Sequence, residues 1–418
     1  MQRATSYPGP VSVRFEYCYQ DEANTTWNSM TSETSDRAIA VVTGTRAEYG
    51  LLKSSMDAIV AHEELTLSVI ATGMHLSPQY GMTVEEIRDD GFTVDHEVLM
   101  QLDGDTGAAM AKSLGVGTMG LVDALQRIEP DVMLLLGDRD EALAGALAGS
   151  HMNIPVAHVH GGDSMEGATI DDSIRHAITK FAHIHFPASE ASAERVRGLG
   201  EEPWRITTVG APGLDDVLNG AYEDAETVLE RYGLDSDRPL LLLVQHPVTT
   251  RTERAGEQMA ATLDAVESFE TQVVLVYPNS DAGGRRMIEE IELRSLGDDV
   301  RSFRSLPRRE YLGVMAAADV MVGNSSSGII EAPSFDLPVV DIGPRQANRE
   351  RANNTLSVPH ETEAIEDAVR RCLHDEQLRE RAAHCANPYD QGGAGERICE
   401  RLATVSLGDD LLRKRLTF

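Results

Sequence analysis

Short, unbroken apolar runs alternate with segments of helical periodicity through most of this chain. AIAVV (38–42), LTLSVIA (65–71), VMLLLG (132–137), IPVAHVH (154–160), HIHFPA (183–188) and RITTVG (205–210) read as buried strands. Patterns such as LLKSSMDAIVAH and EALAGALAGSHM lie between most of them and read as helices. The alternation restarts with PLLLLVQH (239–246), QVVLVYP (272–278), VMVGN (320–324) and LPVVDIG (337–343). Continuous apolar runs mark strands buried on both faces, and strand–helix alternation predicts parallel sheets. The expected fold class is α/β, with two Rossmann-like, doubly wound domains facing a cleft. The first domain is placed at 38–210 and the second at 211–392, with 211–238 (Pro212, Gly213 and a DSDRP turn) as the connection. A last amphipathic helical segment, about 394–415, falls within 393–418. Residues 1–37 are polar, lack sustained periodicity and are expected to be a disordered extension. Met30 would make a natural start, so residues 1–29 are read as an upstream addition.

The length of 418 residues agrees with two cores rather than one. No apolar run is long enough to span a bilayer, and no signal-peptide pattern opens the chain, which points to the cytoplasm. There are 68 acidic and 37 basic residues, a formal net charge of −31, and only four lysines (53, 112, 180 and 414). Such self-repulsion is tolerated best at high salt, so a salt-adapted surface is expected. Nucleic acid is disfavoured as a partner, because no basic patch is present to neutralise phosphates. The four cysteines (18, 372, 385 and 399) are far apart without a CxxC, which suggests neither a zinc site nor a disulfide framework.

In open parallel sheets ligands bind beyond the carboxyl ends of strands, so the strand ends are where chemistry is expected. The first run ends in TGTRAEYG, where Arg46 and Glu48 open a helix: either an anion site or an ordinary strand–helix turn. It lacks GxGxxG, which argues against a nicotinamide cofactor. VMLLLG ends in GDRDEA, with Asp138 just past the strand and Asp140 placed to cap the next helix. VAHVH ends in His158, His160, Gly161, Gly162 and Asp163; no third ligand has metal-site spacing, so no metal is expected.

In TIDDSIRHAITK, Ile170, Ile174, Ala177, Ile178 and Phe181 form one apolar helical face. Thr169 is a candidate N-cap with Asp172 at N3, and Asp171–Arg175 and Asp172–His176 are pairs four apart. Capping accounts for Asp172 better than for Asp171. In the second half, VQHPVTT places His246 at a strand end. The run VMVGNSSSGIIEAPSF offers a Ser/Gly turn that suits phosphate, with Glu331 one turn on and able to face a ribose. Arg345, Arg349 and Arg351 follow and suggest a second grip on a diphosphate.

TGTRAEYG, GDRDEALA, AHVHGGD with TIDDSIRHAITK, QHPVTT, PNSDAGG and GNSSSGIIEAPSF with RQANR occur together, in this order. In these motifs the chain resembles the hydrolysing UDP-N-acetylglucosamine 2-epimerases of the sialic- and legionaminic-acid type, over about residues 38–400. The resemblance implies a GT-B-type pair of domains with the active site in the cleft between them, a nucleotide-binding second domain and a final helix crossing back to the first. It also implies dimers or tetramers, a UDP-sugar as partner, and no required metal or cofactor. By the same resemblance, Asp138, Asp163 and Asp171 are the catalytic carboxylates, His246 is a catalytic or phosphate-contacting group, and Arg175 and His176 support the carboxylates. Arg46, Ser325, Ser326, Ser327, Gly328, Glu331 and Arg345 fall at positions around UDP. Two features depart from the pattern: His160 stands where some relatives carry a carboxylate, and Asn348 replaces the glycine of RQxGR. The HGGD form is similar to relatives acting on UDP-2,4-diacetamido-2,4,6-trideoxy sugars or a GDP counterpart.

Overall fold

The computed structural model describes residues 36–104, 106–165 and 170–418, and Asp36–Phe418 form one compact unit. The expectations for residues 1–35, and for Thr169, therefore lie outside the described residues.

Two parallel sheets of six strands carry the fold. The first contains β1 (Arg37–Thr43), β2 (Leu65–Thr72), β3 (Val94–Val98), β4 (Val132–Leu136), β5 (Val156–Val159) and β6 (Ile184–Phe186). Its order is β3-β2-β1-β4-β5-β6. The second contains β7 (Leu240–Val244), β8 (Gln272–Val276), β9 (Val300–Phe303), β10 (Val320–Gly323), β11 (Val339–Ile342) and β12 (Thr355–Val358). Its order, β12-β11-β10-β7-β8-β9, is the same topology repeated. In such sheets the winding reverses between the first and fourth strands, and the helices diverge there to leave a crevice. The two crevices lie at the carboxyl ends of β1 and β4, and of β7 and β10.

The central strands are apolar because both of their faces are covered by helices: every residue of β4 (VMLLL) and β7 (LLLLV) is buried. Three strands depart from the sequence reading, since β3 (VDHEV), β9 (VRSF) and β12 (TLSV) were not expected. All three are edge strands with half-exposed residues, so they need no continuous apolar run. Conversely, RITTVG is not a strand. It runs beside β6 with a single bridge, Ile206 to His185, and no ladder.

The last helical segment is shorter than expected, with a helix at Ala394–Thr404 and a separate turn at Asp409–Leu412. Ile398, Cys399 and Leu402 enter the first sheet's core beside Ile39, Leu52 and Met56. A Cβ on Gly395 would lie 2.7 Å from the backbone of Ser54, so this glycine permits close contact with the helix Arg46–Ala61. Asp215, from the connection between the sheets, accepts from the N–H groups of Ala394 (3.0 Å) and Gly395 (2.8 Å) and so caps the returning helix.

Candidate active site

A cavity of about 270 Å³ opens between the two crevices. Its walls come from the turns after β1 (Thr45, Arg46), β4 (Gly137, Asp138, Arg139), β7 (His246), β8 (Tyr277–Asn279) and β10 (Ser325–Ser327). The repeated topology thus brings loops far apart in sequence to one place.

The first sheet contributes carboxylates. Gly137 has φ +81°, a backbone that suits glycine, and turns the chain so that Asp138 lines the cavity. Arg175, 2% exposed, is ion-paired with Asp138 across 37 positions. Asp171 stands in the first turn of the helix Ile170–Phe181, lines the cavity and lies 3.9 Å from Arg345. The next residue, Asp172, accepts from the N–H of Met165 (3.0 Å). His176 sits 3.8 Å from Asp172, as the spacing predicts, and is not part of the cavity lining.

Asp163 is also absent from that lining. It is 2% exposed and accepts from Arg349 (2.7 Å) and Ser192 Oγ (2.8 Å), with His160 Nδ1 at 3.5 Å. Burial alone would raise its pKa, yet the Arg349 guanidinium, the His160 ring beside it and the hydrogen bond from Ser192 hold it well below the ordinary carboxylate value. In this position Asp163 is a fixed anion joining the two sheets. His160, at φ +63° and 3% exposed, lies against it, so the residue that departs from the family pattern packs behind the cavity. Asp140 does not cap its helix; Arg139 is the N-cap and Asp140 the first helical residue.

The second sheet contributes donors. Ser325, Ser326 and Ser327 line the cavity in the tight turn after β10, where the Ser327 N–H donates to Ser325 Oγ (3.3 Å). Gly328 belongs to packing: a Cβ there would meet Val339 Cγ1 at 2.9 Å. His246 Nδ1 accepts from the Asn279 N–H (3.2 Å), so the neutral ring carries its proton on Nε2. Burial and the Arg345 guanidinium push its pKa down to about 3, which keeps the ring a neutral donor at ordinary pH.

Of the three arginines read as a diphosphate grip, Arg345 alone lines the cavity, with its NH1 on Asn324 O (3.1 Å). Arg349 pairs with Asp163 as above, and Arg351 with Asp341 (3.0 Å). Asn348 has φ +56°, the left-handed backbone that asparagine tolerates best after glycine, so the RQANR loop keeps its turn despite the replacement. Two other expected ligand contacts are already engaged: Arg46 with Glu86 and Ser305 Oγ (both 2.5 Å), and Glu331 with Arg308 (2.8 Å).

Several residues in and beside the cavity make contacts that sequence reasoning missed. Arg139 follows Asp138 and reaches across the cleft to Asp281 (3.0 Å) and back to Glu141 (3.4 Å). Asp281 and Asn279 belong to PNSDAGG, a strand-end motif, and that location is a signal which could have found them. Arg308 and Tyr311 sit at a helix start away from any apolar run, with no local signal. Glu48 ties the helix start together: its N–H donates to Oγ1 of the N-cap Thr45 (3.2 Å) and its carboxyl accepts from the N–H of Gly44, one residue before the cap (2.6 Å). Burial and then the Glu141 carboxylate raise its pKa to about 8, so it is protonated at neutral pH. Among the described residues no group of three or more His, Cys, Asp or Glu side chains could hold a metal, and no helix is long and apolar enough to cross a membrane.

Comparison with known proteins agrees with this fold. A protein of Legionella pneumophila, UDP-N,N'-diacetylbacillosamine 2-epimerase (hydrolyzing), is 39% identical over 378 residues, covering 90% of this chain and 98% of its own. The UDP-N-acetylglucosamine 2-epimerase of Neisseria meningitidis is 35% identical, covering 80% and 86% respectively. Among solved structures, a Neisseria meningitidis UDP-GlcNAc 2-epimerase bound to UDP-GlcNAc superposes with a TM-score of 0.74 at 18% identity, covering 87% of this chain and 99% of that one. At that identity the match speaks for the GT-B-like fold. The family model described as UDP-N-acetylglucosamine 2-epimerase matches residues 57–403. With its two repeated sheets, its strand-end motifs and these relatives, the chain belongs to the UDP-N-acetylglucosamine 2-epimerase family.

Proposed function

We propose that this protein is a hydrolysing 2-epimerase that converts UDP-N-acetylglucosamine and water to N-acetylmannosamine and UDP. The observation that carries this reading is the cavity's two-sided character, with Asp138 and Asp171 on one wall and Ser325–Ser327, Arg345 and His246 on the other. The proton on C2 of the sugar is weakly acidic, so departure of the diphosphate must lead. Serine hydroxyls, the Arg345 guanidinium and the His246 Nε2–H neutralise the charge that builds on the leaving oxygen. A carboxylate takes the C2 proton as the C1–O bond breaks, leaving UDP and a 2-acetamidoglucal. Water then adds its hydroxyl to C1, and a proton is delivered to C2 from the opposite face, which inverts that carbon. Asp138, neutralised by Arg175, and Asp171, facing Arg345, have different surroundings, as two groups with separate proton-transfer roles require. Asp163 is assigned to holding the cleft rather than to proton transfer. His176 supports Asp172.

A second reading concerns the sugar alone. The relative that is 39% identical is named for a diacetamido sugar, as is a Campylobacter jejuni relative at 33% identity, and this chain carries VHGGD. On that reading the same steps act on UDP-2,4-diacetamido-2,4,6-trideoxyglucose. Incubation at high salt with each nucleotide sugar separately, with products identified by NMR, decides between them. The substrate that releases UDP with the higher kcat/KM is the native class. Accumulation of a UDP-linked 2-epimer with no free UDP rejects hydrolysis.

A further inference from the structure

The apolar strand β5 buries a histidine that the proposed chemistry does not use. His158 is 0% exposed, and its Nε2 donates to the carbonyl of Gly137 at 2.7 Å. The N–H of the same glycine donates to Val159 O at 3.0 Å. Both polar ends of residue 137 are therefore held by β5, and the next residue is Asp138. Gly137 has φ +81°, a conformation whose carbonyl has no ladder partner of its own in this position, and the imidazole supplies one.

The ring also touches the other carboxylate carrier. Nδ1 lies 3.4 Å from Thr179 Oγ1, on the helix whose first turn bears Asp171 and whose next turn bears Arg175. The Thr179 hydroxyl donates its one hydrogen to Arg175 O (3.0 Å), the shorter contact, so the contact with His158 is chiefly packing. Gly161 closes the third side: a Cβ there would meet His158 Nδ1 at 3.0 Å and Thr179 Oγ1 at 3.2 Å. The imidazole thus fills the space between the turn of Asp138 and the helix of Asp171. Resting on the 2-epimerase reading, we propose that His158 is a positioning residue, fixing Asp138 against the reacting sugar and setting its distance from Asp171. A metal role does not fit, since Nε2 is spent on a carbonyl. Burial holds its pKa down to about 3, which agrees with a neutral ring of fixed tautomer.

The test separates positioning from folding. His158→Leu keeps the ring's place apolar and removes the donor; His158→Gln restores an N–H near the Nε2 position. A displacement of about 1 Å can lower turnover about a hundredfold. We expect His158→Leu to lower kcat by about ten- to a hundredfold, with the Kd for UDP changed less than about threefold, because the UDP-facing donors lie on the second sheet. His158→Gln should recover most of kcat. Gly161→Ala, which presses on the same ring from its far side, should lower kcat by a smaller factor at unchanged UDP affinity. It keeps the proposal testable where His158→Leu fails to fold. Wild-type kcat in His158→Leu or in Gly161→Ala overturns the proposal, as does equal loss of UDP binding and kcat in a His158→Gln protein that is folded. Wild-type protein that releases no UDP from any nucleotide sugar rejects the 2-epimerase reading instead.

Discussion

The two walls of the cleft have the same topology and opposite chemistry. Segments after β4 and β5 place Asp138 and Asp171 beside buried cations; segments after β7, β10 and β11 place a neutral imidazole, hydroxyls and Arg345. One fold repeated twice supplies two crevices, and on the proposed function the residues that follow its strands make one crevice manage protons and the other hold an anion. On this account, damage to the first wall should appear in turnover and damage to the second in affinity. The sharpest challenge is Asp138→Asn, which keeps the shape and removes one of the two proposed acid–base carboxylates. We expect kcat to fall by about 10³-fold, the scale of a lost acid–base group, with UDP affinity within a fewfold of wild type by titration calorimetry. A comparable loss of UDP affinity would erase the distinction between walls.

Between the walls stands a different kind of contact. Asp163 and Arg349 are both buried and pair across the two sheets at 2.7 Å. Arg349→Met leaves a buried carboxylate without its cation, which should cost about 3–5 kcal/mol in urea unfolding. Loss below 1 kcal/mol would mean that Asp163 reaches solvent and could return to the catalytic set. On the second wall, His246→Ala removes one neutral donor. UDP should bind about ten- to a hundredfold more weakly, the range for a hydrogen bond to a charged group, while the residual reaction keeps its pH profile.

An effect that depends on pH rather than on ligand belongs to Glu48, which sits on the first wall as a protonated cap. Its folded pKa, about 8, is raised above the unfolded value, so the native state keeps a proton that the unfolded chain gives up. Its contribution is fully present below about pH 4.5 and is lost as pH rises toward 8, by at most about 1.4 kcal/mol per pH unit. Glu48→Gln should therefore match wild type near pH 4.5 and be increasingly the more stable of the two as pH rises to 8. Parallel melting curves across that range would contradict the raised pKa.

How much of this was legible before the structure depended on burial. Runs such as VMLLL and LLLLV announce central strands because both faces are covered, and their ends delivered Asp138, His246 and the serine turn directly. The edge strands VDHEV, VRSF and TLSV are half exposed and carry no such signature. The helix pattern of TIDDSIRHAITK placed Asp171, yet its spacing could not show that Arg175 would turn to Asp138. Pairings such as Asp163 with Arg349 or Arg139 with Asp281 join the two halves of the chain, and no local periodicity encodes them. Asn348 departs from the family pattern at a glycine position, and its φ of +56° shows why the turn survives the replacement.

The central claim is that nucleotide departure and inversion at C2 are one reaction at one cleft, and turnover of UDP-N-acetylglucosamine in D₂O measures it most directly. Proton and carbon NMR should show free UDP accumulating in step with N-acetylmannosamine that carries deuterium at C2. UDP release with hydrogen retained at C2, or UDP-N-acetylmannosamine with its nucleotide still attached, would contradict the account.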